Sequence, residues 1–198
     1  MSFEARSEPV DLPAWRKLKR RELLDKRTAM STEEHHVKSA SILSELTHLE
    51  DVLTGVIAFY FPFRGEVDVL TLMEKLSNRG FVTALPVVLA PRTPLQFRAW
   101  SPECVTAPST YGVPEPTKGE IVEPDVFIVP LVGFDAQLYR LGYGGGFYDR
   151  TFAATKKAIT RIGVGFEDAR IDTIYPQPFD IPMHFVITEN GVREAKAS

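Results

Sequence analysis

Along this chain the spacing of apolar positions changes several times, and each change marks an element. Val37, Ala40, Leu43 and Leu46 recur every three residues, close to the period of a helix with one apolar face. That helix opens at Ser31-Thr-Glu-Glu34, a capping box in which the Ser and Glu side chains satisfy each other's orphan amides. The preceding stretch, Trp15 to about Met30, also reads as helix, yet Trp15, Leu18, Leu23 and Leu24 form no clean stripe. Val56-Ile-Ala-Phe-Tyr-Phe61 is apolar without interruption until Pro62, the pattern of a strand buried on both faces. Asp68 is placed to cap a helix through Leu72, Met73 and Leu76 that stops at Asn78 and Gly80. Strands are predicted at 81–85, at 96–100 by alternation, and at 126–132, 161–166 and 184–188. A proline-rich excursion fills 101–124, and Thr151 to Lys157 reads as a helix.

Strands alternating with helices predict one three-layer α/β/α domain, Rossmann-like, around a mixed but mostly parallel sheet. Residues 14–198 form that domain, and residues 1–13, with Pro9 and Pro13, read as a flexible lead-in.

Composition narrows the class. The chain has 198 residues, 44% hydrophobic and 25% charged, so a single soluble domain with an ample core is expected. Cys104 is the single cysteine, which excludes a disulfide framework and a cysteine metal cluster. The first residues show no apolar h-region, and 56–63 is too short to span a bilayer, so a cytoplasmic location is expected. Net charge is −3, which argues against nucleic acid as a partner. Yet residues 16–27 hold seven cations against two acids, a local balance of +5 that suggests an anionic ligand. The histidines 35, 36, 48 and 184 have no zinc spacing and read as structural or surface residues.

The chemistry concentrates in Arg140-Leu-Gly-Tyr-Gly-Gly-Gly-Phe-Tyr-Asp-Arg150. Four glycines in five positions, between a strand and a helix, let backbone amides converge on a phosphate. The segment matches neither the dinucleotide fingerprint, which needs glycine where Phe147 stands, nor the P-loop. Asp149 at its end is a chemically sensible Mg²⁺ ligand beside phosphate. A carboxylate such as Asp180, in the rigid segment 176–182, is by itself as readily a turn-former.

This eleven-residue segment resembles the signature of the 5-formyltetrahydrofolate cyclo-ligases, and the resemblance runs from about residue 14 to about 192. It implies ATP- and Mg²⁺-dependent closure of 5-formyltetrahydrofolate to 5,10-methenyltetrahydrofolate, with ADP and phosphate released. Under it, Arg140 and Tyr148 take catalytic roles, and Asp149 and Asp180 hold the metal. The nucleotide meets Arg16, Lys17, Arg20 and Arg140 together with the loop Gly142, Tyr143, Gly144, Gly145, Gly146, Phe147 and Tyr148. The folate meets Arg20, Phe61, Glu66, Tyr143, Gly144, Gly145, Gly146 and Phe147, with Glu66 hydrogen-bonding the pterin. The family's Lys/Arg-x-x-x-Arg pattern maps onto Arg16-Lys-Leu-Lys-Arg20, but Arg stands where Lys is usual and Lys19 replaces an apolar residue. A one-residue shift would make Lys17 the working cation. Trp100 and Tyr111 are possible stacking partners, though core or rim positions suit them better. The expected partners are these two small molecules, with no membrane and no nucleic acid, acting on a monomer. Two other classes stay open from the residues alone: a non-catalytic nucleotide-binding regulatory module, and a phosphosugar isomerase or coenzyme A transferase relative on a similar fold.

Overall fold

A computed structural model describes residues 8–195. In chain order the elements are α1 (Leu12–Thr28), α2 (Thr32–His48), β1 (Val56–Ala58), α3 (Leu70–Asn78), β2 (Val82–Val87), β3 (Gln96–Trp100), β4 (Thr106–Pro108) and β5 (Pro114–Pro116). Then follow β6 (Ile121–Val122), β7 (Val126–Pro130), β8 (Gly133–Phe134), β9 (Arg140–Leu141), α4 (Phe147–Ala154), β10 (Thr160–Val164), β11 (Phe185–Thr188) and β12 (Gly191–Glu194).

Eight strands form the main sheet in the order β12-β11-β10-β7-β1-β2-β3-β6. The inner five are parallel, whereas β12 and β3 run antiparallel to their neighbours. Alternation along β7 shows why the sheet needs two covers. Val126 and Ile128 point into a core with Ile42 and Leu46 of α2 and Met73 of α3. Phe127 and Val129 point into the opposite core with Phe134 and Phe152 of α4. The mixed α/β expectation therefore holds, and β1 sits where the strand order reverses between β7 and β2, so a crevice opens beyond their carboxyl ends.

Several boundaries move. Residues 1–7 of the predicted lead-in lie outside the described residues, and Leu12 and Pro13 are already helical behind an Asp11 cap that accepts from the Ala14 amide. Pro13 fits because the first turn of a helix requires no amide donor from it. Ser31 Oγ accepts the Glu34 amide as expected, but the Glu34 carboxylate turns outward to Lys38. α3 starts at Leu70, with the Asp68 carboxylate accepting its amide.

The largest correction concerns the glycine segment. A short hairpin, β8–β9, intervenes between β7 and the glycines, and α4 begins at Phe147 rather than Thr151. Tyr148, Asp149 and Arg150 are thus first-turn helical residues, not loop. The proline-rich excursion also carries structure, a two-stranded unit β4–β5 and the edge strand β6. Their shortness and their prolines hid them from any periodicity.

Candidate active site

Helix α1 explains why its sequence showed no apolar stripe. Arg16, Arg20, Leu23 and Arg27 recur at intervals of four, three and four, which places them within about 60° of one another around the helix. That face lies across the carboxyl edge of the sheet, as its hydrogen bonds show. Arg16 is 9% exposed and donates to the carbonyls of Ile174 (3.1 Å) and Tyr175 (2.7 Å) and to Asp180 Oδ2 (2.6 Å). Arg20 Nε donates to the Gly142 carbonyl at 2.7 Å. Arg27 donates to the carbonyls of Arg64 and Leu131, both at 3.0 Å. The helix docks through cations, so its inward face reads as surface in the sequence.

Beyond this edge lies a cavity of about 730 Å³. The glycine loop, the first turn of α4, the 60–66 turn after β1, the 178–181 segment and Tyr111 of the β4–β5 unit all line it. The loop earns its glycines by contact. A Cβ on Gly144, whose φ is +96°, would sit 3.4 Å from the Arg20 guanidinium carbon. Gly146, at φ +65°, is the N-cap of α4 and offers no side-chain cap. The first amides of that helix therefore have no side chain to satisfy them, which leaves donors and a positive dipole end for an anion.

Charge is arranged in pairs at this end. Arg140 donates to Asp149 Oδ2 at 2.8 Å, and the other Asp149 oxygen accepts the Ile181 amide at 3.2 Å. Arg16 binds Asp180, whose Oδ2 also accepts the Gln177 amide at 2.7 Å. The Arg140 guanidinium also lies 5.2 Å from the Tyr148 ring centre. Burial pushes the Tyr148 hydroxyl far above its ordinary pKa, partly opposed by the Arg140 charge. Burial likewise draws Arg20 downward from its usual range, with Arg16 adding like-charge repulsion.

At the other end, Glu66 is 5% exposed. Its Oε2 accepts the Phe63 amide at 2.9 Å, whereas Oε1 is buried with no hydrogen-bond partner. Burial raises its carboxyl to about 7, against the lowering pull of Arg27 and of the Phe63 and Tyr143 donors. His35 Nε2 lies 2.9 Å from the Glu66 carbonyl and so fixes the backbone beneath the carboxylate.

Among the described residues, buried side-chain polar atoms without partners occur on Ser39, Glu66, Arg140 and Tyr148. The last three line the one cavity. Buried polar atoms are normally satisfied, so three orphans converging here point to a polar ligand.

Of the sequence candidates, Arg16, Arg20, Phe61, Glu66, Arg140, Gly142, Tyr143, Gly144, Gly145, Gly146, Phe147, Tyr148, Asp149 and Asp180 all meet at this cavity. Lys17 does not line it: it is exposed and lies about 100° around α1 from Arg16. Trp100 packs against the core, while Tyr111 joins the cavity rim with its ring 5.6 Å from that of Phe147. His184 is structural, accepting the Arg161 amide at Nδ1.

Two residues escaped the sequence reading. Arg27 was counted only as charge. Asp135 is 1% exposed and accepts the Gln137, Tyr139 and Ile174 amides, which ties the β8–β9 hairpin to the carbonyls that hold Arg16. The turn-forming pattern Phe-Asp-Ala-Gln was a weak signal for it.

A magnesium ion arriving with a nucleotide fits this donor set. Mg²⁺ takes one or two carboxylates and fills its shell with phosphate oxygens and water. Asp149 and Asp180 line one cavity, and no group of three acidic, histidine or cysteine side chains forms a standing metal centre among the described residues.

Comparison with known proteins identifies the family. Residues 13–189 match the 5-formyltetrahydrofolate cyclo-ligase family. The 5-formyltetrahydrofolate cyclo-ligase of Haemophilus influenzae is 28% identical over 163 residues, covering 78% of this chain and 87% of that protein. The Mycolicibacterium smegmatis enzyme of the same name is 30% identical over 177 residues, covering 82% and 91%. The solved 5,10-methenyltetrahydrofolate synthetase of Aquifex aeolicus superposes with a TM-score of 0.80 at 31% identity, covering 92% of this chain and 94% of that one.

Proposed function

The chain belongs to the 5-formyltetrahydrofolate cyclo-ligase family, and we propose that its cavity brings Mg-ATP and 5-formyltetrahydrofolate together end to end. It is a ligase that closes 5-formyltetrahydrofolate to 5,10-methenyltetrahydrofolate in an ATP-dependent reaction. A purely regulatory module and an isomerase or transferase relative are accordingly set aside.

The chemistry sets what the residues must do. A formamide oxygen is a poor leaving group, so it takes the γ-phosphoryl group of ATP. The neighbouring folate nitrogen then forms its bond to the formyl carbon, and the carbon–oxygen bond breaks with loss of phosphate and of the nitrogen's proton. ADP and phosphate leave, and the ring carries the amidinium charge. Such a reaction asks for alignment and charge stabilisation more than for a dedicated base.

In our reading the amides from Gly142 to Phe147 cradle the terminal phosphates, with Arg20 above them. Arg140 and Arg16 are held ready on Asp149 and Asp180, and they turn to the phosphoryl oxygens as negative charge builds there. Magnesium, when bound with the nucleotide, would be held by Asp149 and Asp180 and would neutralise phosphate charge. Tyr148, buried and kept protonated, offers a hydroxyl donor to the transferring group. Glu66 accepts the adjacent ring N–H and amino hydrogens of the pterin, a bidentate match for its carboxylate. Phe61 lines the same end. The supporting observation is the convergence of three buried, unpartnered polar atoms on one cavity.

The testing experiment mixes purified protein, Mg-ATP and 5-formyltetrahydrofolate and follows methenyl absorbance. A rise that needs both Mg²⁺ and ATP is expected; no rise in the wild-type protein would refute the assignment. A monomeric cytoplasmic enzyme is part of the proposal. No helix among the described residues is long and apolar enough to cross a membrane.

A further inference from the structure

We infer that Arg27 and Tyr143 form a positioning pair that couples the two ends of the cavity, so that each substrate binds more tightly when the other is present. The inference deepens the reading above and rests on it.

Arg27 is 9% exposed, yet among the described residues it hydrogen-bonds no carboxylate, and its charge acts on Glu66 only through space. All of its hydrogen bonds go to neutral oxygens on three separate segments. Nε serves the Arg64 carbonyl, in the turn that carries Glu66; one terminal nitrogen serves the Leu131 carbonyl, just beyond β7; the other serves the Tyr143 hydroxyl at 2.5 Å. Burying an arginine so deeply is unfavourable unless its fork is filled, and here the filling spans the site.

Tyr143 completes the bridge. Its backbone belongs to the glycine loop, while its hydroxyl also reaches the Phe63 carbonyl at 3.4 Å. The two rings lie 6.3 Å apart. Phe63 is the residue whose amide holds Glu66 Oε2. A continuous set of contacts therefore runs from loop to Tyr143, to Phe63, to the pterin-binding carboxylate, with Arg27 clamping both sides.

The consequence is a coupling of ligand binding. Phosphate on the loop amides orders the loop and fixes where Tyr143 stands. That in turn orders the Phe63–Glu66 turn, so a pterin arriving second finds the turn already set. Ordering met once by the first ligand is not required again by the second, and by linkage the effect is the same in either direction. Arg20 also touches the loop, through the Gly142 carbonyl, but among the described residues no hydrogen bond joins it to the turn.

The test is a binding square on the full chain, read by calorimetry. 5-Formyltetrahydrofolate is titrated with and without saturating Mg²⁺ and a non-hydrolysable ATP analogue, and the analogue with and without the folate. In the wild type the folate Kd should tighten about five- to fiftyfold with the analogue present, within the usual range for coupled sites. Tyr143→Phe keeps the ring and removes only the bridging hydroxyl. It should bring the coupling factor to within about twofold of one, whatever it does to either ligand alone, because the factor is a ratio of affinities measured within one variant. Arg27→Lys, which keeps charge but not the fork, should do the same if it folds. Should it unfold, Tyr143→Phe decides alone. Unchanged coupling in Tyr143→Phe overturns the inference, as does a wild type with no coupling. Failure of both ligands to bind the wild type would instead overturn the underlying site assignment.

Discussion

The two ends of the cavity handle their carboxylates in opposite ways. At the glycine-loop end, Asp149 and Asp180 each hold an arginine, at 2.8 and 2.6 Å. At the turn end, Glu66 is buried where those two are only partly so, and its Oε1 has no hydrogen-bond partner among the described residues. The difference matches what each end would receive in the proposed complex. An anion with its counter-ion needs cations and acids already positioned, whose partners can be exchanged on binding. A neutral heterocycle rich in N–H groups needs an acceptor left vacant. The unpartnered acid costs stability in the free protein, and in the proposed complex the pterin would supply the missing bond.

Removing Asp149 should break the first end most severely. Asp149→Ala strands a buried Arg140 and removes one of the two carboxylates proposed to hold magnesium, so turnover should fall by about a thousandfold, comparable to loss of a key electrostatic group elsewhere. Folate binding measured without nucleotide should change less than about threefold, since Asp149 bonds to Arg140 and the Ile181 amide and shares neither with Glu66. Steady-state kinetics with separate folate titration would show it, and equal loss of both would erase the distinction.

The unpartnered carboxyl makes a pH-dependent claim. Glu66 is raised from 4.5 in the unfolded chain to about 7 in the folded one, mainly by burial. A raised value favours the protonated form, so folding stability from this group is fully present below pH 4.5 and is lost as pH rises toward 7. The loss is on the order of 3 kcal/mol at most. Urea unfolding of wild type and Glu66→Gln should therefore diverge between those pH values, the wild type losing ground as pH rises. Folate affinity should move the other way, strengthening as Glu66 ionises. Parallel stability curves for the two proteins would place the carboxyl in solvent.

At fixed neutral pH, Glu66→Gln should weaken folate binding about ten- to a hundredfold, the range for a charged hydrogen-bonding pair, and leave the ATP analogue untouched. The smallest effect sharpens the other end: Arg20→Ala should weaken the nucleotide severalfold, whereas Lys17→Ala should change neither ligand's Kd by more than about twofold, as for any exposed side chain.

That last pair marks where the sequence stopped being legible. The strands were readable because β1 and β7 are buried on both faces and announce it with unbroken apolar runs. The glycine segment was readable because no other residue type tolerates such close backbone approach. Helix α1 was opaque for a physical reason: its docking face is Arg16, Arg20 and Arg27, so its hydrophobic pattern carries no phase, and only the three-dimensional period separates Arg16 from Lys17. The start of α4 was missed because Gly146 caps it without a side chain. The β8–β9 hairpin, two residues per strand, lies below what alternation can detect. Asp135 and Arg27 act through backbone groups distant in sequence, and only the fold brings those groups to them.

The most direct measurement is a crystal structure of the full chain with Mg²⁺, a non-hydrolysable ATP analogue and 5-formyltetrahydrofolate. The γ-phosphate should lie against the amides between Gly142 and Phe147, with metal density beside Asp149 and pterin nitrogens on Glu66 Oε1. A triphosphate bound elsewhere, with Glu66 still unpaired, would contradict the two-ended site.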